Sequence, residues 1–300
     1  MMKKLQLSKY RYMYLMAIPV LAYYILFSYV PMYGIQIAFK DYNIFKGIWD
    51  SKFVGFNNFR LMFEDAYFWK VTGNTLIISF YKILFSFPVP VLVAMLLNEL
   101  RHMVFKRTVQ TIIYLPRFIS WVIMMGILGN FLSINGGLIN VIIESLGGEP
   151  VHFLVRKDLF RILVVVTDIW KGAGWGSILY LAAISGINPE MYEAAAVDGA
   201  GKLRQAWHVT LPGIRPTITM MLILALSGIL NAGFDQIFVM YNDITMPVAD
   251  IIDTYVFRSG LQSARYSYAT AVGLFKSVIS LVLIFGADRA SKALGESGLL

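Results

Sequence analysis

From Tyr12 to Phe39 the chain reads YMYLMAIPVLAYYILFSYVPMYGIQIAF, 28 residues without a charged side chain. A helix needs about 20 largely apolar residues to cross roughly 30 Å of hydrocarbon, so this stretch is long enough to span a membrane. Lys3, Lys4, Lys9 and Arg11 precede it, as basic residues precede the apolar core of a secretion signal. The run is long and carries no small-residue cleavage site, which predicts a retained first span. Working outward, six stretches pass the length test: 13–36, 74–97, 111–132, 161–186, 217–239 and 268–287. The fourth is the least clean, because Asp168 and Lys171 interrupt it. The expected fold is all-α, a polytopic membrane protein with six transmembrane helices over 13–287. It is flanked by an N-terminal segment 1–12 and a tail 288–300.

Composition agrees. Hydrophobic residues make up 58% of the 300 and charged residues 15%, where about 25% charged is usual in soluble chains. Mean hydropathy is +0.64. A soluble fold of this composition would leave far too much apolar surface in water. The net charge of +8 does not point to nucleic acid, because the basic residues fall in short runs beside apolar spans. There they act as topology signals or meet anionic headgroups. Arg101, Lys106 and Arg107, then Lys202, Arg204 and Arg215, then Arg289 and Lys292 fall on the same side as the N-terminal cluster. The positive-inside rule therefore places both termini in the cytoplasm of a multi-pass protein of the cell (inner) membrane.

Chemistry-bearing motifs are absent. No cysteine is present, and His102, His152 and His208 lack metal-ligand spacing. No phosphate-cradling G-x-x-x-x-G-K-[ST] loop occurs, nor G-x-G-x-x-G, H-E-x-x-H or G-x-S-x-G. The chain is expected to be no enzyme and to hold no metal or cofactor of its own.

The segment 187–216 carries the clearest local signal. It contains Asn188-Pro189-Glu190-Met191-Tyr192-Glu193-Ala194-Ala195-Ala196-Val197-Asp198-Gly199-Ala200-Gly201, then Lys202 to Pro212. Asn188 suits a helix cap, Pro189 a first helical position and Glu190 the positive end of the dipole. Ala194, Ala195 and Ala196 leave one face almost without side-chain bulk. Gly199 and Gly201 are expected to stop this helix through positive φ. A second short helix, Lys202 to Val209, then leads to Pro212 and Pro216 at the start of the next span. From the residues alone, a slim helix–turn–helix fitted to a partner's groove and an ordinary connecting loop are equally good readings.

Glu193-Ala194-Ala195, Asp198-Gly199-Ala200, Val209, Leu211-Pro212 and Pro216 resemble the EAA signature of binding-protein-dependent ABC importer permeases. One departure is Ala206 in place of an expected Phe, with Trp207 adjacent to supply the bulk. The resemblance extends through Pro31-Met32-Tyr33-Gly34, Ala38-Phe39-Lys40-Asp41-Tyr42, Val54-Gly55-Phe56-Asn57-Asn58-Phe59 and Asn74-Thr75-Leu76. It continues at Leu97-Asn98-Glu99, Gln110-Thr111, Tyr114-Leu115-Pro116 and Phe118-Ile119-Ser120-Trp121. These look like the carbohydrate-uptake branch, of the oligosaccharide and polysaccharide-fragment type. The resemblance implies a type I ABC importer permease fold and alternating-access import of a carbohydrate. It also implies a second, similar permease, two copies of an ABC ATPase that bind ATP and Mg, and an extracytoplasmic solute-binding protein. Its ATPase-coupling residues would be Glu193, Ala194, Ala195, Asp198, Gly199, Leu211 and Pro212.

Charges inside spans are functional candidates by default. Lys82 and Lys276 fit either such a role or snorkelling towards an interface. Asp168 and Lys171, at i and i+3, fit a local pair. Trp175 among Gly172, Gly174 and Gly176 reads as close helix packing more readily than as a sugar platform. Sugar contacts implied by the resemblance lie in the fourth and fifth spans, where Trp170, Asn231, Asp235 and Gln236 combine hydroxyl-matching groups with an aromatic face. Pro88 and Pro90 predict a kink in the second span. Two rivals remain: the same machinery importing a polyol or glycerol phosphate, and a self-sufficient secondary transporter. The second predicts helices broken at the midplane, which the apolar stretches do not suggest.

Overall fold

The computed structural model describes residues 10–293. The expected N-terminal lysines Lys3, Lys4 and Lys9, and the tail beyond residue 293, lie outside the described residues. Four helices are long and apolar enough to cross a membrane alone: α1 (Arg11–Phe39), α3 (Ala66–Glu99), α7 (Lys157–Ser185) and α13 (Tyr266–Ala293). Counting each of two bent helix pairs as one crossing brings the number to six. The other helices of six residues or more are α2 (Asn57–Glu64), α4 (Met103–Phe118), α5 (Trp121–Leu132), α6 (Leu138–Ser145) and α8 (Pro189–Val197). After them come α9 (Lys202–Gly213), α10 (Arg215–Ser227), α11 (Phe234–Met240) and α12 (Ile252–Phe257). Two short strands, β1 (Lys40–Asn43) and β2 (Ser51–Phe53), form an antiparallel hairpin with Lys40 opposite Phe53.

Two compact units are distinguished, one from residues 10–65 and 256–275, the other from 66–255 and 276–293. In the first, Asn58 is buried and donates to the carbonyls of Ala38 (2.8 Å) and Lys40 (3.0 Å), fixing α2 against the end of α1. Gly55 turns the chain at φ +59°, and Phe39 packs on Phe56 and Phe59. Tyr268 donates to Asp65 at 2.9 Å.

The second unit is organised along α3 and α7. One apolar cluster joins Ile78, Phe160, Val164, Ala232, Ile237, Met240, Ala249 and Ile251. A second joins Val91, Ala94, Tyr180, Ile184 and Ile214. Twenty residues of helix separate Val164 from Ile184, about 30 Å of rise, so the two clusters lie a membrane's thickness apart along α7. The glycine run on α7 is a packing surface: a Cβ on Gly174 would meet the Ile113 carbonyl at 2.0 Å, and one on Gly176 would meet Pro90 at 3.0 Å.

Two spans depart from the continuous helices expected. The third, expected over 111–132, bends by 106° between α4 and α5. Pro116 cannot donate a backbone N–H, Ile119 is extended, and the Ser120 hydroxyl caps α5 at Ile123 N. The fifth, expected over 217–239, stops at Ser227 and resumes at Phe234, leaving 228–233 non-helical. Gly233 there takes φ +97°, and the Asn231 N–H closes on the Gly228 carbonyl at 2.7 Å. The 13 residues of α10 rise only about 20 Å, short of the hydrocarbon thickness. Broken helices are thus present after all, although hydropathy did not mark them. In α3, Pro88 and Pro90 are absorbed by a wide turn over Lys82–Ser86 rather than by a sharp kink.

Candidate functional site

Two places gather the residues singled out from sequence. The first is the α8–α9 hairpin. Asn188 accepts from Glu190 N at 3.1 Å and Pro189 occupies the first turn of α8. At the other end Gly199 adopts φ +76°, its N–H bonds to the Ala196 carbonyl at 3.0 Å, and the Ala200 N–H reaches back to Ala195 at 2.8 Å. Nothing lies within 4 Å of a Cβ placed on Gly199, so the backbone angle, not space, is what requires glycine. Gly201 does not share this role: at φ −66° it is the extended residue that opens α9.

Three contacts that sequence reasoning missed brace the hairpin and tie it to the end of α3. Gln205 Nε2 donates to the Ala200 carbonyl at 3.0 Å, the Tyr192 and Thr210 hydroxyls meet at 3.0 Å, and Lys202 pairs with Glu99 at 3.3 Å. Leu211 is half-buried against the cluster around Ile214, and a Cβ on Gly213 would strike Ile187 at 2.7 Å, so the hairpin is seated on the ends of α7 and α10. Its outer face is open. Glu193, Ala194, Asp198 and Pro212 are exposed, Ala195 is half-buried, and Val197 at 88% exposure, Leu203 and Trp207 add apolar surface.

The second place is a cavity of about 460 Å³ halfway along α3 and α7, walled also by α10 and the 228–231 segment. Its polar lining is Ser79, Lys82, Ser86, Asp168 and Asn231. Lys82 Nζ forms an ion pair with Asp168 Oδ1 at 3.2 Å and donates to Gln236 Oε1 at 2.6 Å and to the Ala232 carbonyl at 2.9 Å. Gln236 in turn donates to the Val164 carbonyl (2.8 Å) and the Thr167 hydroxyl (2.9 Å). Lys82 therefore ties α3, α7 and the broken fifth span together, which is not snorkelling.

The structure separates the four residues expected to contact sugar. Asn231 lines this cavity. Gln236 is buried behind it as a backbone brace, Asp235 is exposed on α11, and Trp170 lines a different, apolar recess with Leu128, Phe131 and Leu138. The local pair expected between Asp168 and Lys171 does not form. Asp168 faces Lys82, whereas Lys171 is buried against the carbonyls of Pro116, Arg117 and Ile119, with Nζ 5.1 Å from the Trp121 ring centre. The Pro116 carbonyl also accepts from the Ile119 N–H at 3.2 Å, whereas at Arg117 and Ile119 the bend removes the helical donor and the lysine supplies a replacement. Lys276 likewise turns inward, to Asp253.

Residues 86–295 match the family described as binding-protein-dependent transport system inner membrane component. The chain belongs to this family. Two relatives come from Bacillus subtilis (strain 168). Protein LplB is 47% identical, with 98% of this chain and 92% of that protein covered. The polygalacturonan/rhamnogalacturonan transport system permease protein YteP is 45% identical over the same shares. Among solved structures, the permease superposes with a TM-score of 0.90 and 40% identity on a chain of a bacterial alginate ABC transporter in complex with alginate pentasaccharide-bound periplasmic protein, over 98% of both chains. This permease is accordingly a multi-pass inner-membrane transport subunit with the type I ABC importer fold.

Proposed function

We propose that this permease is one of two membrane subunits of an ATP-driven importer that carries a carbohydrate, an oligosaccharide, into the cell by alternating access. The observation that carries the reading is the α8–α9 hairpin: a braced element with an exposed carboxylate at Glu193 and a nearly side-chain-free face, seated on the helices that wall the cavity. A second permease and two ABC ATPase subunits holding ATP and Mg complete the assembly, and an extracytoplasmic solute-binding protein delivers the solute. The identity with a polygalacturonan/rhamnogalacturonan permease and with an alginate transporter chain supports a carbohydrate.

In this reading the hairpin and both termini face the cytoplasm. Glu193 makes a charge-assisted contact with the ATPase, and Ala194 and Ala195 allow close approach. Asp198 and Gly199 set the turn, while Leu211 and Pro212 transmit displacement to α10. When the ATPase dimer closes, the hairpin moves as one body. α7 and α10 shift with it, and the cavity between them changes the side on which it opens.

Co-expression with its neighbouring transporter subunits, followed by purification and ATPase assay, tests this. Glu193→Lys should lose ATPase association or its stimulation, because it places a like charge before a basic partner. Wild-type recovery and turnover would sink the coupling role. The chain has no cysteine, so single cysteines can be placed freely. One at Lys292 should react only from the cytoplasm and one at Lys52 only from outside.

A further inference from the structure

The cavity's charges cancel within the protein, and its remaining polar groups are those that recognise hydroxyls. An ammonium has three donors. Those of Lys82 are matched by Asp168, Gln236 and the Ala232 carbonyl, and its side chain is only 15% exposed. Asp168 is the reverse case. Its side chain is 31% exposed and its Oδ1 holds Lys82, while its second oxygen has no partner among the described residues. Ser79 is 4% exposed, yet its hydroxyl has no hydrogen-bond partner, and the buried hydroxyl of Ser86 on the next turns of α3 has none either. Both residues belong to the cavity wall, although neither hydroxyl is exposed to its space. Asn231 belongs to it too, an exposed residue whose carboxamide has no partner among the described residues. Buried polar groups without partners are uncommon and costly. Two such hydroxyls behind one cavity wall, beside a free carboxylate oxygen and an exposed carboxamide, leave hydrogen-bonding capacity that no group of the protein uses.

We infer that this permease reads the hydroxyl-bearing, uncharged face of its solute through Asp168, Ser79, Ser86 and Asn231, with Lys82 as a positioning residue that does not bind solute carboxylates. The inference rests on the carbohydrate reading and narrows it. One structural neighbour is an importer of the acidic polysaccharide alginate. In this permease, on that inference, any carboxylate on the solute is left to another wall of the pathway.

Two probes that differ only at C6, galactotriose and trigalacturonate, test this. Their binding to the purified full complex in nanodiscs is measured by equilibrium dialysis without the solute-binding protein, whose own selectivity then stays out of the result. Asp168→Asn leaves the Lys82 charge uncompensated. It should raise the ratio of trigalacturonate to galactotriose affinity by about tenfold. The charge-balanced double variant Lys82→Gln/Asp168→Asn should weaken both probes together and hold the wild-type ratio within about twofold. Ser79→Ala removes only a hydroxyl that has no protein partner, so a structural role predicts no loss. The inference predicts about three- to tenfold weaker binding of both probes. Selective loss of trigalacturonate in the double variant would show that Lys82 reads carboxylates and overturn the inference, as would an unchanged ratio in Asp168→Asn or unchanged affinity in Ser79→Ala. Binding of neither probe to the wild-type complex would instead strike the carbohydrate reading itself.

Discussion

At Gly199 one helix stops and another begins within three residues, and the groups freed there are met from close by. Asn188 serves Glu190 two residues on, Ala200 N–H returns to Ala195, and Gln205 reaches Ala200 five residues back. At the bends inside the membrane the partners come from far along the chain. Lys171 serves the Ile119 carbonyl across 52 residues, and Lys82 serves the Ala232 carbonyl across 150. The difference follows from the solvent. Water completes whatever a surface turn leaves unpaired, so short-range caps suffice. Hydrocarbon completes nothing, so a break at membrane depth persists only where the fold delivers a donor to it. The surface turn is therefore cheap to alter and the interior breaks expensive.

The largest effect is expected at Lys171. Lys171→Met leaves the Ile119 carbonyl, and the weaker contact at Arg117, without a donor, while Pro116 keeps the Ile119 N–H. At about 1–3 kcal/mol for each buried group left unsatisfied, a loss of roughly 2–4 kcal/mol follows. Thermal melting of the detergent-purified permease should fall clearly, and Lys171→Arg should recover part of it. A wild-type melting curve for Lys171→Met would remove the distinction drawn between interior and surface.

The same contrast decides what was legible in the sequence. Six apolar stretches marked where the chain crosses the membrane, because length against bilayer thickness is a property of a contiguous segment. The hairpin was legible too, since Asn188, Pro189 and Gly199 each act on neighbours. The breaks at Ile119 and over 228–233 were not, because apolar residues continue through them and hydropathy does not register a missing N–H. Nor were the partners of Lys82, Asp168 and Lys171. The i, i+3 spacing of Asp168 and Lys171 suggested a local pair, whereas the fold offers each a more distant counterpart. Of the four residues read as sugar contacts, only Asn231 reaches the cavity, since Gln236 is used to hold the break beside it.

A smaller effect is expected at Gly199. Its φ of +76° resists a side chain by about 1–2 kcal/mol, with more strain for a β-branched residue. Gly199→Val should leave membrane insertion intact and displace α9 relative to α8, so that the complex hydrolyses ATP without matching solute uptake. The ratio of uptake to hydrolysis in proteoliposomes measures this. A normal ratio would mean that the turn geometry does not matter for coupling.

The smallest effect concerns the bond that joins the two helices of the hairpin across 18 residues, Tyr192 OH to Thr210 Oγ1 at 3.0 Å. Tyr192→Phe deletes one half-buried hydroxyl without changing the ring, at a cost of about 1 kcal/mol or less. Thr210 is buried at 4% exposure, but a threonine hydroxyl in a helix can turn to the carbonyl one turn back, so it is not stranded as the Ile119 carbonyl would be. The melting curve should therefore stay within error of wild type while the helices of the hairpin loosen. Hydrogen exchange over 189–213 should quicken by a few-fold, with no change over 113–123, and the uptake-to-hydrolysis ratio should drop modestly. If exchange instead rises at both places, the surface hairpin and the interior bend share one cooperative unit. The separation between locally satisfied and remotely satisfied turns then fails.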